Sequence, residues 1–249
     1  MATVRRVRLL GVDVDALSMD EVVGIAERHA RERRRLMISV VNVAKLVNLQ
    51  RDSLLRESVV TGELVLADGM PLVWLSRLKR DPLPERVAGI DLMFELFRLA
   101  DRGGLRVYLL GAEASTLERV VEIVRRDYPG LIVAGFRDGF FKDADAEAVA
   151  TSVRDARPDI LLVAMSSPKK EVFMRRFGDR MDATICHGVG GSFDVLAGNT
   201  RRAPRWMQRT GLEWFYRCLQ EPRRMWRRYL VTNSKFVVLA LRDILGRHR

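Results

Sequence analysis

Cysteine is nearly absent: Cys186 and Cys218 are the only two in 249 residues. One lies in an apolar stretch and the other in a basic tail, so neither a disulfide framework nor a zinc site with repeated ligand pairs is written here. Both read as buried thiols in a reducing compartment. Long apolar runs are missing too. Stretches such as residues 236–241 fall far short of the ~20 residues needed to cross a bilayer. Arg5, Arg6 and Arg8 open the chain, but Asp13 and Asp15 interrupt the apolar residues that follow, which argues against a secretory signal. The expectation is a protein that stays in the cytoplasm. The glycine-rich loop ending in Gly-Lys-Ser/Thr is absent, which excludes P-loop chemistry, and Gly111 is followed by Ala112, Glu113 and Ala114 rather than by dinucleotide-type glycines, which disfavours an NAD site. Of three histidines only His187 lies near the candidate cleft, with no Ser-His-Asp or Cys-His pattern beside it. Hydrolase and histidine-metal readings are therefore weak, and His187 reads as structural.

What is present is alternation. Short runs rich in Val, Ile and Leu at 37–41, 64–67, 106–110, 131–134, 159–164 and 183–186 read as strands, and amphipathic segments such as 115–127 and 144–156 read as helices. Such alternation implies an α/β body with parallel strands joined by right-handed crossovers. The body is expected to occupy residues 1–200 and a helical basic appendage residues 201–249. Nearly all of the +11 net charge is in that second part, which holds 13 Lys and Arg against 3 Asp and Glu, together with Trp206, Trp214 and Trp226.

In open α/β sheets ligands bind beyond the carboxyl ends of the strands, so the residues just after each apolar run carry most weight. These are Asn42, Asp68, Gly111, Asp138 and Gly139, the Ser-Ser-Pro before Lys169, and Gly190. Any one of them is equally what a turn requires. Gly111 leads into a helix whose amino end can receive a diphosphate. Asp68 ends a buried strand, where a carboxylate can take a proton from an attacking hydroxyl. The alternative is that it caps the helix begun by Pro71, and spacing alone favours capping. Arg86 offers a guanidinium suited to phosphate or carboxylate, or simply to a surface ion pair. Lys169 and Lys170 can face a diphosphate or solvent.

At 100° per residue Arg224, Arg228, Lys235 and Arg242 fall within an arc of about 40°, with Trp226, Val237, Ala240 and Ile244 roughly opposite. A basic amphipathic helix with tryptophans is most economically a membrane-surface element. Nucleic acid is not expected, since no helix-turn-helix, zinc-finger or RNP signature is present. A nucleotide-dependent oxidoreductase, or a basic nucleic-acid-binding or scaffold protein, is the alternative reading of the same pattern.

Several stretches together carry a resemblance: Ala-Asp-Gly-Met-Pro at 67–71, Arg-Val-Ala-Gly-Ile-Asp at 86–91, Tyr-Leu-Leu-Gly at 108–111, Ser-Pro-Lys-Lys-Glu at 167–171, the glycine-rich stretch 188–198, Arg-Ala-Pro-Arg-Trp at 202–206, Gly-Leu-Glu-Trp-Phe-Tyr-Arg at 211–217 and Glu-Pro-Arg-Arg at 221–224. In this order they make the chain resemble the WecG/TagA/CpsF glycosyltransferases over nearly its whole length. The resemblance implies a Rossmann-like body and an inverting transferase, with no metal or other cofactor, that moves a sugar from a UDP-sugar to a saccharide on a polyprenyl diphosphate. Its setting would be bacterial surface-polysaccharide synthesis at the cytoplasmic face of the inner membrane, on an anionic surface. By position, Asp68 matches the family's base, Asn42 and Arg86 match pocket residues, and arginines around Arg217, Arg224 and Arg227 match those that meet the lipid diphosphate. Asp91, Gly111, Asp138, Gly139, Lys169, Lys170, Glu171 and Gly190 complete the expected substrate site, and Arg223, Arg228 and Trp226 the membrane-facing group. Two positions depart from the family: Val40 stands where a threonine is common and Lys170 where a glutamine is common. The donor is accordingly expected to be either of N-acetylmannosamine type or a hexose such as glucose. A homo-oligomer is left open.

Overall fold

The computed structural model describes residues 4–220 and 222–246; side chains 223–225, 227 and 228 are also outside the described part. The chain opens with a hairpin, β1 (Arg6–Leu9) and β2 (Val12–Asp15), and continues through α1 (Met19–Glu32), β3 (Leu36–Val41), α2 (Val43–Leu49), α3 (Ser53–Val60), β4 (Leu64–Ala67), α4 (Met70–Leu78) and α5 (Gly89–Gly103). Then follow β5 (Arg106–Gly111), α6 (Ala114–Asp127), β6 (Ile132–Arg137), α7 (Ala146–Asp155), β7 (Ile160–Ala164), α8 (Lys169–Met181), β8 (Ile185–Gly188) and α9 (Ser192–Leu196). The chain closes on α10 (Arg205–Arg209), α11 (Glu213–Gln220) and α12 (Pro222–Leu245).

Strands β3 to β8 form a six-stranded parallel sheet in the order β4-β3-β8-β7-β5-β6. The apolar runs are continuous because both faces of the sheet are covered. Along β3, Leu36, Ile38 and Val40 enter the core shared with α1, α5 and α6, whereas Met37 and Val41 point to the opposite side. That opposite side is divided between α7 with α8 and α2, α3 with α4. The expected α/β fold with a mostly parallel sheet and flanking helices is thus what forms, with strand and helix bounds moved by up to three residues.

The hairpin was not expected. Its strands are four residues long, and Asp15 looks like an interruption by sequence. It is in fact buried, accepting from Arg6 Nε at 2.8 Å and from the Val65 backbone N–H at 2.7 Å, so its charge fastens the hairpin to β4.

The helices after residue 200 pack onto this body. Phe236 of α12 is buried in the core beside α2 and α4, with Leu239, Ala240 and Ile244 against the same cluster. Asp243 accepts from the Leu10 backbone N–H at 3.1 Å and pairs with Lys79. The single apolar face expected for this helix is therefore two faces: Ala240 and Ile244 turn to the body, while Trp226 and Val237 are exposed together with Leu230, Val238, Leu241 and Leu245. Among the described residues no helix is long and apolar enough to cross a membrane.

Candidate active site at the strand carboxyl ends

Asp68 follows directly on β4. Its backbone N–H bonds to Val41 O at 2.7 Å, and Val87 N–H bonds to Ala67 O at 2.9 Å. The second bond draws the segment carrying Arg86 alongside the end of β4, which is how two residues eighteen positions apart come to share a site. Capping does not explain Asp68: the cap position of α4 falls on Gly69, with no side-chain bond to the helix. The preference for capping drawn from spacing is thereby corrected. Asp68 is partly buried, and its carboxyl is raised above the usual range, chiefly by desolvation and next by the charge of Glu213; Arg86, Arg217 and Lys45 pull it back down. A carboxylate with raised proton affinity among cations is suited to accepting a proton near an anionic substrate.

Arg86 is engaged on two sides. Its Nη1 lies 2.6 Å from Glu213 Oε2 and its Nη2 3.7 Å from Asp91 Oδ2. Asp91 also receives both terminal nitrogens of Arg202, at 2.5 and 2.7 Å, a bidentate arrangement. Glu213 and Arg202 both come from the part of the chain after residue 200. The approach is helped by Gly211: a Cβ there would fall 2.7 Å from the Trp74 ring, so a larger residue would push the entry to α11 away from α4. Glu213, Arg202 and Lys45 were given no site role from sequence. The available signal was scarcity, because Glu213 is one of only three acids in a strongly basic tail.

Asn42 caps α2, its Oδ1 accepting from Lys45 N–H at 3.0 Å, and remains exposed at the end of β3. Lys45 turns inward, donating to Val40 O at 2.6 Å and lying 2.8 Å from Glu171 Oε1; Lys170 Nζ lies 3.2 Å from the same oxygen. Two ammonium groups thus share one buried carboxylate. Burial pushes Glu171 upward, but Lys45 and Lys170 outweigh it and hold the carboxyl down at about 2. Lys45 itself is lowered, by burial first and by Lys170 second. His187 is fully buried, its ring nitrogens 3.1 Å from Gly89 O and 3.4 Å from Ile38 O, and burial lowers it to about 4. That is the environment of a neutral, structural histidine.

The other expected residues separate into two places. Gly111 and Gly139 meet: Gly139 N–H bonds to Ala112 O at 2.9 Å, and a Cβ on Gly111 would fall 2.4 Å from Ala164 O, so the backbones of β5 and β7 close up only because that position lacks a side chain. Asp138 accepts from the Phe140 N–H at 2.8 Å and shapes the same turn. Lys169, read as facing a diphosphate or solvent, donates to Gly139 O and Phe141 O, both at 3.1 Å, and sits over the Phe141 ring. Gly190 lies beside Lys170. Val40 and Lys170, the two departures, line one small cavity with Lys45, Glu171 and Gly188. Arg217 is exposed on α11 and its charge reaches Asp68; Trp226 is exposed on α12. The side chains of Arg223, Arg224, Arg227 and Arg228 lie outside the described residues.

Parallel strand ends thus gather a carboxylate of raised proton affinity and several cations, the kind of charge set that an α/β transferase for an anionic substrate uses. The chain matches the model of the glycosyl transferase WecG/TagA/CpsF family over residues 7–249, and it belongs to that family. It is 32% identical over 227 residues, covering 91% of this chain and 87% of the relative, to the N-acetylglucosaminyldiphosphoundecaprenol N-acetyl-beta-D-mannosaminyltransferase of Bacillus subtilis (strain 168). A protein of the same description from Bacillus spizizenii is 38% identical over 182 residues, covering 73% of this chain and 69% of the relative. Family membership sets aside the oxidoreductase, nucleic-acid and scaffold readings.

Proposed function

We propose that this glycosyltransferase moves a sugar from a UDP-sugar to a saccharide on a polyprenyl diphosphate, with inversion at the sugar carbon. The observation that carries the reading is Asp68, a carboxylate of raised proton affinity at a strand end, set among Arg86, Arg217 and Lys45. In the proposed step Asp68 takes the proton of the acceptor hydroxyl as its oxygen bonds to the anomeric carbon; the bond to UDP breaks and UDP leaves with the electron pair. The uridine diphosphate lies at the ends of β5 and β6, where Gly111 and Gly139 bring the turns close together without side chains in the way, with Asn42, Asp138, Lys169 and Lys170 around the donor. The arginines carry the charge-neutralising work that a metal ion does elsewhere. Arg217, with Arg223, Arg224, Arg227 and Arg228, holds the lipid diphosphate.

The acceptor fixes the setting as a membrane surface. The outward face of α12, with Trp226, Leu230, Val237 and Leu241, and the exposed Trp206, Phe215 and Leu219 supply apolar contact beside the basic residues. We place the protein peripherally at the cytoplasmic face of the inner membrane. The relatives' names favour an N-acetylmannosamine donor; the joint change at Val40 and Lys170 keeps glucose and other hexoses as competitors. A panel of UDP-sugars, offered with an N-acetylglucosaminyl lipid diphosphate in the presence of a chelator and read by mass, is expected to give one elongated acceptor and free UDP. Elongation by none of them would overturn the reading.

A further inference from the structure

The chain after residue 200 carries thirteen basic residues and three acids, Glu213, Glu221 and Asp243. Glu221 lies outside the described residues, and both of the others reach back into the body. Asp243 pairs with Lys79 and accepts from Leu10 N–H, fastening the far end of α12. Glu213 reaches Arg86 at 2.6 Å, at the other end of the appendage and beside the candidate base. Acids that are rare in a basic segment, and both committed to the body, mark where that segment is meant to dock.

The Glu213 contact differs from a simple strut in what surrounds it. Glu213 stands between two guanidinium groups: Arg86 Nη1 at 2.6 Å and Arg202 Nε at 3.8 Å. That Arg202 Nε is buried and makes no hydrogen bond among the described residues, while the terminal nitrogens of Arg202 are taken by Asp91. Arg86, suited by sequence to phosphate or carboxylate, is therefore already occupied by a carboxylate from beyond residue 200. Of the charges that bear on Asp68, from Glu213 and Arg217 on α11, Arg86 in the loop after α4, and Lys45 on α2, that of Glu213 is the strongest. It opposes the other three.

We propose that Glu213 is the residue through which the appendage acts on the base: docked on Arg86, it holds α11 over the strand ends and sets a second negative charge against Asp68. Loss of the Glu213 charge leaves Arg86, Arg217 and Lys45 to act on Asp68 unopposed, so the base is made ready only with Glu213 in place. Glu213 is a positioning residue, since it works through Arg86 and Asp68 and not by touching the reacting atoms. The inference rests on the assignment of Asp68 as base.

The test is Glu213→Gln in the full chain, which keeps size and hydrogen-bonding capacity but removes the charge. Two quantities are read: the acidic limb of the kcat/KM profile, and hydrogen exchange of residues 201–220 without substrate. Loss of a neighbouring negative charge lowers the proton affinity of Asp68, so the limb is expected to move to lower pH by about half a unit or more, with faster exchange in α11. A limb that stays in place in Glu213→Gln, whatever happens to the rate, overturns the electrostatic role, and unchanged exchange overturns the docking role. Failure of the underlying reading looks different: Asp68→Asn would itself stay active.

Discussion

Two charged clusters bear on Asp68, one made by Lys45, Lys170 and Glu171 and the other by Arg86, Asp91, Arg202 and Glu213. In the first, every side chain is at most 10% exposed and every residue belongs to the body. In the second, exposures run from 13% to 38%, and half of the residues come from beyond residue 200. A desolvated cluster is costly to break and so fixes geometry. A half-solvated seam gives little net stability, can open at modest cost, and so can join the appendage to the site.

The comparison breaks most directly at Glu171. Glu171→Gln leaves two buried ammonium groups without a carboxylate and is expected to lose about 3–5 kcal/mol of stability, read from the denaturant midpoint at constant slope. The sign with pH follows from a carboxyl held below its ordinary value. The advantage of the native protein over the variant is complete above the unfolded value of 4.5 and fades as pH falls toward about 2. A loss under about 1 kcal/mol at neutral pH would place this cluster with the solvated one.

Phe236→Ala comes next, at about 3 kcal/mol. Because Phe236 is part of the core beside α2 and α4, the whole body should unfold at lower temperature. A separate early transition confined to the last helices would show that they are only loosely attached. At the seam, Arg202→Met should cost about 1 kcal/mol or less in stability yet reduce turnover about tenfold, since it releases Asp91 and the entry to α11; equal small effects on both would erase the distinction between the clusters. The smallest stability effect, within about 0.5 kcal/mol, is expected for Val237→Ser with Leu241→Ser on the outward face of α12. Flotation with anionic vesicles should nevertheless weaken several-fold.

The strands were legible because both faces of a covered parallel sheet demand continuous apolar runs. The residues after them were legible because ligands favour that edge of the sheet. Asp68, Gly111 and Gly139 are read in this way, whereas Arg86 stands out only as a guanidinium before a helix and through the family resemblance. The hairpin escaped because its four-residue strands alternate with Arg and Asp whose partners, such as Val65 N–H, lie elsewhere in the chain. Lys45, Arg202 and Glu213 escaped for the same reason: each takes its meaning from a residue more than a hundred positions away. Helical periodicity correctly put Ala240 and Val237 on a helix, but arithmetic on one helix cannot say which apolar residues another element will cover.

Asp68→Asn, assayed with the competent UDP-sugar and a lipid-diphosphate acceptor while donor affinity is followed by calorimetry, bears most directly on the site assigned here. Turnover is expected to fall by about a hundred- to ten-thousandfold with donor affinity preserved. Turnover close to that of the native protein would contradict the assignment of Asp68 as the base.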